Sequence, residues 1–123
     1  MIKKLVPLSI VALLCLYGCG KYGDVKSIIK DMTKSVNRCT EDMKKAKSGQ
    51  EHAKAIEEYT AQMYNLKPKL YALFDKYPEL KNTYPEDLQK VMDEYKASER
   101  KWLEVFRETV LPFRGDKDLD AAM

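Results

Sequence analysis

Apolar residues in this chain recur at alternating steps of four and three, which is the spacing of one face of an α-helix. The first such series runs through Val25, Ile29, Met32, Val36, Cys39, Met43 and Ala46. It predicts a helix over about 24–47, with Asp24 as a side-chain N-cap and Gly49 as the residue that ends it.

A second series of the same spacing begins at His52 and ends at Tyr77, just before Pro78. Ser48 followed by Glu51 has the spacing of a capping box, which marks the start of a helix. Pro68 lies inside this helix and lacks the backbone N–H that the preceding turn requires. A kink or a break near Leu66 is therefore expected.

The third series predicts a helix from about Tyr84 to Val110, interrupted on its apolar face by Glu99 and ended by Pro112. Thr83 and Glu86 have capping-box spacing, with Pro85 in the first turn. The polar residues that follow, RGDKDLDAAM, predict a flexible tail over 113–123.

No stretch alternates apolar and polar residues convincingly with period two, so a β-sheet is not expected. Three long helices joined by short connections must run up, down and up. The predicted fold is all-α: an elongated antiparallel three-helix bundle over 24–112, formed by a coiled-coil-like helical hairpin and a third helix.

The first twenty residues have a different organisation. Lys3 and Lys4 precede fourteen mostly apolar residues, Leu5 to Gly18, and small residues flank Cys19. This is the layout of a secretory signal. A helix of that length reaches only about 21 Å, which is less than the roughly 30 Å hydrocarbon core of a bilayer.

The residues Leu16-Tyr17-Gly18-Cys19 resemble the lipobox of bacterial prolipoproteins. The resemblance implies that 1–18 is a signal peptide, that cleavage precedes Cys19, and that fatty acyl groups such as palmitate are attached to Cys19. Residues 19–23 would then form a short linker. An Asp directly after the cysteine would resemble the signal that retains lipoproteins of enteric bacteria in the inner membrane. Gly20 occupies that position here, so attachment to the periplasmic face of the outer membrane is favoured. The alternative is ordinary signal cleavage after Gly20, which would release the domain.

Cleavage before Cys19 would leave 105 of the 123 residues, enough for one domain. Without Lys3 and Lys4, 20 basic side chains face 19 acidic ones, so the chain lacks the basic excess typical of nucleic-acid binding. Cys39 would be the one thiol left unmodified. Its place on an apolar face predicts a buried side chain, and the alternative is an exposed thiol that cross-links two copies.

Enzymatic, metal and cofactor functions find little support in the sequence. His52 is the only histidine, and neither Ser48 nor Ile56, one turn away on either side, would complete a metal site with it. It is expected to be a solvated or helix-capping side chain. The methionines lie on the apolar faces, where they pack as core residues. We therefore expect no enzyme, no metal and no cofactor.

Three aromatic residues of the second helix, Tyr64, Tyr71 and Phe74, fall beside its apolar face. They are explained either by a central helix that contacts two neighbours or by an exposed surface that contacts a partner. The expected function is a membrane-anchored periplasmic lipoprotein that acts as a helical binding or structural module for another envelope protein. The alternatives are a periplasmic helical chaperone, a stress or metal sensor, and an exclusion or immunity lipoprotein of a mobile element.

Overall fold

The computed structural model describes residues 21–123, and the predicted signal peptide and Cys19 lie outside this range. Four α-helices follow one another: α1 (Gly23–Lys45), α2 (Gly49–Lys76), α3 (Glu86–Val110) and α4 (Lys117–Ala122). Short 3₁₀ helices at Pro78–Lys81 and Leu111–Phe113 follow α2 and α3. The described part of the chain contains no strand, as predicted.

The three long helices form the predicted antiparallel bundle. Tyr22 at the start of α1 packs against Tyr77 at the end of α2, with ring centroids 5.0 Å apart. Tyr59 of α2 stacks on Trp102 of α3 at 5.3 Å. Neighbours in sequence therefore run in opposite directions, and α1 and α3 run in the same direction.

Helix α1, and not α2, is the central helix. It packs closely along both α2 and α3, whereas the backbones of α2 and α3 approach each other less closely. The large side chains of Tyr59 and Trp102 fill the space between them. Contact with two neighbouring helices therefore does not explain the aromatic residues on the outer side of α2.

Helix boundaries differ from the prediction where capping was inferred from residue type. Helix α1 begins at Gly23, and Asp24 lies in its first turn instead of capping it. The prediction of a capping box formed by Thr83 and Glu86 is wrong. The N-cap residue of α3 is Pro85, and no side chain forms a capping hydrogen bond there.

The predicted cap of α2 is present: the Ser48 hydroxyl accepts a hydrogen bond from the Glu51 N–H at 3.1 Å. Helix α2 continues through Pro68 without a break. Gly49 does not end α1 but is the first residue of α2. A Cβ atom at Gly49 would collide with the Asp116 carboxylate, so glycine permits a close approach between the start of α2 and the start of α4.

The C-terminal segment 113–123 is not the flexible tail that its polar composition predicts. Asp116 caps α4 by accepting hydrogen bonds from the N–H groups of Asp118 and Leu119. Leu119 has no exposed surface and packs with Ile56, Val105 and Met43. The cap starts α4, and the buried Leu119 packs the segment against the bundle, mainly against α2.

The core has two parts, which define the two ends of the bundle. The Tyr77 end contains the start of α1, the end of α2 and the start of α3, with Val25, Leu80 and Leu88 buried. The His52 end contains the end of α1, the start of α2, the end of α3 and α4, with Met43, Ile56 and Leu119 buried. Tyr59 and Trp102 pack against both parts and make the core continuous.

Candidate functional site

The most exposed aromatic surface of the described chain lies on α2. Tyr64 and Tyr71 are 83% and 58% exposed, whereas the residues just before them, Met63 and Leu70, are buried. A step of one residue turns a helix by about 100°, which moves the tyrosines from the core to the flank. Since they are seven residues apart, both lie on the same side, about 10 Å from each other along the axis. We call these two residues the tyrosine face.

The tyrosine face borders α3. Tyr95 of α3 has a raised pKa, caused first by burial and then by the Glu99 carboxylate, with a smaller contribution from the phenol of Tyr71. The Tyr71 phenol is therefore one of the groups that influence the partly buried Tyr95 of α3. Lys67, between the two tyrosines in sequence, is exposed. The surface thus combines aromatic rings, hydroxyl groups and an ammonium group.

Phe74 belongs to the core more than to this surface. It is half-buried and packs against the apolar cluster at the Tyr77 end. The three aromatic residues singled out in the sequence therefore divide into an exposed pair and one side chain that supports the core.

Pro68 gives the tyrosine face a second polar feature. In a regular helix the N–H of residue 68 would donate to the carbonyl of Tyr64, and proline has no N–H. The Tyr64 carbonyl thus lacks its usual helical donor, on a part of the helix where Lys67, Pro68 and Lys69 are all exposed.

Exposed polar contacts close the Tyr77 end. Glu79 accepts hydrogen bonds from the Lys21 ammonium at 2.9 Å and from the Tyr22 hydroxyl at 2.7 Å. These contacts lower the pKa of Glu79 to about 2, with the Lys21 hydrogen bond as the largest cause. Lys26 also donates to Asp87 at 2.9 Å. The predicted linker 19–23 is therefore packed against the bundle from Lys21 onward.

Cys39 is buried, as expected from its place on the apolar face of α1. The Trp102 indole N–H donates to Cys39 Sγ at 3.1 Å, and the thiol donates to the Ala55 carbonyl at 3.5 Å. Burial is the main cause of the raised pKa of the thiol. A buried, protonated thiol is a poor nucleophile, which argues against the alternative of cross-linking through Cys39.

His52 is not the solvated or capping side chain expected from the sequence. It has no exposed surface and packs on Phe113 and Phe106, with ring centroids 5.8 and 6.2 Å away. Its Nε2 lies 2.8 Å from Thr109 Oγ1, and its Nδ1 is buried without a hydrogen-bond partner. Burial lowers the pKa of this imidazole. The prediction for His52 is wrong because residues 113–123, expected to form a flexible tail, pack over this side chain together with α3.

Within residues 21–123, no group of three or more histidine, cysteine, aspartate or glutamate side chains is placed to hold a metal ion. No helix in the same range combines the length and the apolar composition needed to cross a bilayer. The tyrosine face offers ring area, two phenol groups and a nearby cation on one helix.

Comparison with known proteins yields no match: no protein-family model, curated protein or solved structure is similar to this chain.

Proposed function

We propose that this chain is a lipid-anchored module of the bacterial cell envelope, which uses the tyrosine face to bind another envelope protein and performs no catalysis. The observation that carries this proposal is the exposure of Tyr64 and Tyr71, side by side on one helix. The lipobox-like residues 16–19 support the anchor.

The tyrosine face is suited to protein contact. Tyrosine combines a large apolar ring with a hydroxyl group and has few rotatable bonds, and it is enriched in protein interfaces. Since α2 packs against the bundle through Met63 and Leu70, both rings project from a backbone whose position is fixed. A partner would gain ring burial at little cost in conformational entropy.

The anchor would place this face near the membrane. Lys21 is held by Glu79, so only Gly20 separates Cys19 from the packed domain. Two residues of extended chain span at most about 7 Å. An acylated Cys19 would therefore keep the Tyr77 end at the bilayer. Tyr71 precedes Tyr77 by six residues, about 9 Å along the helix. The partner is then a membrane protein or a protein held close to the membrane.

A photo-crosslinking amino acid at position 64 or 71, in cells that produce the whole protein, tests the contact. Both positions should give the same discrete adduct with one protein. The matched control is the same amino acid at Leu111, which is also exposed, by 63%, but lies at the other end of the bundle. Absence of an adduct from 64 and 71, or the same adduct from 111, would refute the site.

Substitution measures the strength of the contact once the adduct is identified. The double change Tyr64→Ser and Tyr71→Ser should weaken binding to that protein by about tenfold or more, because exposed aromatic anchors contribute more than 1.4 kcal/mol in such interfaces. Leu111→Ser should leave binding unchanged. Equal binding by all three proteins would show that the tyrosines do not carry the contact.

The anchor is tested separately, by the intact mass and detergent partitioning of the purified protein with Cys19→Ser as the control. Acylated protein should enter the detergent phase and the control should stay in water. A protein that starts at Lys21 and is water-soluble would contradict the anchor and leave the tyrosine contact to be judged on the crosslinking result.

A further inference from the structure

The burial of His52 makes it a group that can respond to pH. It lies near the start of α2 and is covered by Phe106 of α3 and by Phe113, which leads into α4. It has no exposed surface. An imidazole titrates near neutral pH, and a fully buried one is stable only while it is uncharged or has a partner for its charge.

Hydrogen bonding around Thr109 fixes where the proton on His52 resides. The Thr109 hydroxyl donates its one hydrogen to the Val105 carbonyl at 2.7 Å. It therefore accepts from His52, whose Nε2 lies 2.8 Å away and carries the N–H. The second nitrogen, Nδ1, then carries a lone pair, and it is buried with no partner. A second proton could bind only at Nδ1, where no acceptor stabilises the resulting N–H.

No charged side chain among residues 21–123 forms an ion pair or a hydrogen bond with His52, whose one polar partner is Thr109. The charged side chains closest in sequence to the elements packed around it are Lys44 at the end of α1, Glu51 on α2, Glu108 on α3, and Arg114 and Asp116 before α4. Lys44 pairs with Glu41, Glu51 accepts from the Lys47 N–H, and Asp116 caps α4. Glu108 and Arg114 are exposed. Burial is the one cause of the lowered pKa of His52, with no contribution from any of these charges.

The covering segment 113–123 is the part of the fold that can move most easily. Helix α4 has six residues, far fewer than an isolated helix needs to be stable in water. Its main packing is on α2, through Leu119 and the close approach of Asp116 to Gly49. Its release would leave the contacts of α1 with α2 and α3 intact.

We propose that segment 113–123 is an acid-released latch: a proton from solvent binds Nδ1 of His52, the charged ring leaves its apolar surroundings, and Phe113 and α4 detach from α2. The side of α2 beneath the segment then becomes accessible. Ala53, now buried, lies 18 residues or five turns before Tyr71 and so on the same side of α2. Opening the latch extends the tyrosine face toward the start of the helix. The latch does not depend on the proposed function.

The direction of the pH dependence follows from burial. His52 is uncharged in the closed form and titrates near 6.5 when it is released. Closure is therefore complete above about pH 6.5 and weakens as the pH falls below that value. Between about pH 7.5 and pH 5, protonation of the open form favours opening by up to about 30-fold, tenfold for each pH unit below 6.5.

Hydrogen exchange of the whole protein in detergent tests the latch. The informative amides are those of Asp120 and Met123, which donate to the carbonyls of Asp116 and Leu119. After correction for the intrinsic pH dependence of exchange, their protection should fall by about 10- to 30-fold from pH 7.5 to pH 5. Protection in α1 should not change. Equal protection of the segment at both pH values, or simultaneous loss throughout the bundle, would overturn the proposal.

Two variants assign the effect to the imidazole. His52→Gln retains an N–H that can donate to Thr109 and does not titrate, so its segment should stay protected at both pH values. Asp116→Asn removes the carboxylate that caps α4, and asparagine can still cap the helix without titrating. This variant should respond to pH like the unmodified protein. Loss of protection at low pH in His52→Gln, or its absence in Asp116→Asn, would contradict the role of His52.

If segment 113–123 does not pack over α2 in the His52→Gln variant, an NMR titration of the unmodified protein still decides the question. Because the chain has a single histidine, its ring signals are unambiguous. The ring should titrate below its usual pKa, with the same midpoint as the chemical-shift changes of Leu119. Titration of His52 at its ordinary pKa while Leu119 stays unchanged would refute the latch.

Discussion

The two ends of the bundle are closed by different kinds of interaction. At the Tyr77 end, exposed ion pairs and hydrogen bonds join Lys21 to Glu79 and Lys26 to Asp87 above the buried core. At the His52 end, the chain closes over a neutral imidazole and a buried leucine, with two phenylalanine rings around them.

The difference shows how each end should respond to its surroundings. Exposed ion pairs contribute little to stability and are screened by salt. Buried apolar contacts contribute more, but they tolerate no charge among them. The Tyr77 end should therefore be insensitive to pH near neutrality, whereas the His52 end should weaken in mild acid.

The largest expected effect compares one buried leucine at each end. Leu80 is a buried residue of the 3₁₀ helix Pro78–Lys81, which connects the long helices α2 and α3. Leu80→Ala should lower the free energy of unfolding by about 2–5 kcal/mol. Leu119→Ala should cost less in global stability, because the six-residue α4 can detach while the remaining bundle stays folded. Urea unfolding measures the first effect and hydrogen exchange of 117–122 the second. Equal global losses would show that α4 is part of one cooperative unit.

A smaller effect is expected from Thr109→Val. It leaves the Nε2–H of His52 buried without an acceptor, at a cost of about 1–3 kcal/mol. Thermal unfolding at neutral pH measures the loss. Thr33→Val in α1 serves as the control, since the Thr33 hydroxyl donates only to the Ile29 carbonyl of its own helix. A loss no greater than the control's would mean that the Thr109 contact does not stabilise His52.

Glu79→Gln should give the smallest change at neutral pH, because Glu79 is exposed. The lowered pKa of its carboxyl, about 2, means that its contribution is present above about pH 4.5 and is lost as the pH falls toward 2. The variant and the unmodified protein should thus converge in stability between about pH 4 and pH 2. Thermal unfolding across this range tests the convergence, and a constant difference would contradict it.

The three long helices could be predicted because their apolar spacing repeats over many turns. The six apolar positions of the first series from residue 25 to residue 43, for example, are all buried, as that spacing requires: Val25, Ile29, Met32, Val36, Cys39 and Met43. The Ser48 cap was also predictable, since Ser48 and Glu51 have a defined separation and the hydrogen bond between them is local. The sequence also placed Tyr64, Tyr71 and Phe74 beside the apolar face, but it left open whether a second helix covers them; Tyr64 and Tyr71 are exposed and Phe74 is half-buried.

The wrong caps at Asp24 and Thr83 are local errors, made where capping was inferred from residue type alone. The errors over 113–123 and His52 concern contacts between distant parts of the chain. Helix α4 contributes one fully buried residue, Leu119, and a single apolar position gives no periodicity to detect. Phe113 of this segment completes the cover that Phe106 of α3 begins over His52, so a prediction of a flexible 113–123 also leaves His52 partly uncovered. The same missing contact thus produced both errors. The signal in the sequence for α4 was Asp116, a good N-cap residue three positions before the apolar Leu119.

The hydrogen bond from Trp102 to Cys39 has a spectroscopic consequence. Trp102 is the single tryptophan of the chain, and a thiol in contact with an indole ring quenches its fluorescence. Emission should therefore be weak in the native protein and should brighten when α1 and α3 separate. Because Trp102 lies where the two parts of the core meet, this intrinsic optical probe distinguishes separation of the long helices from movement confined to the C-terminus.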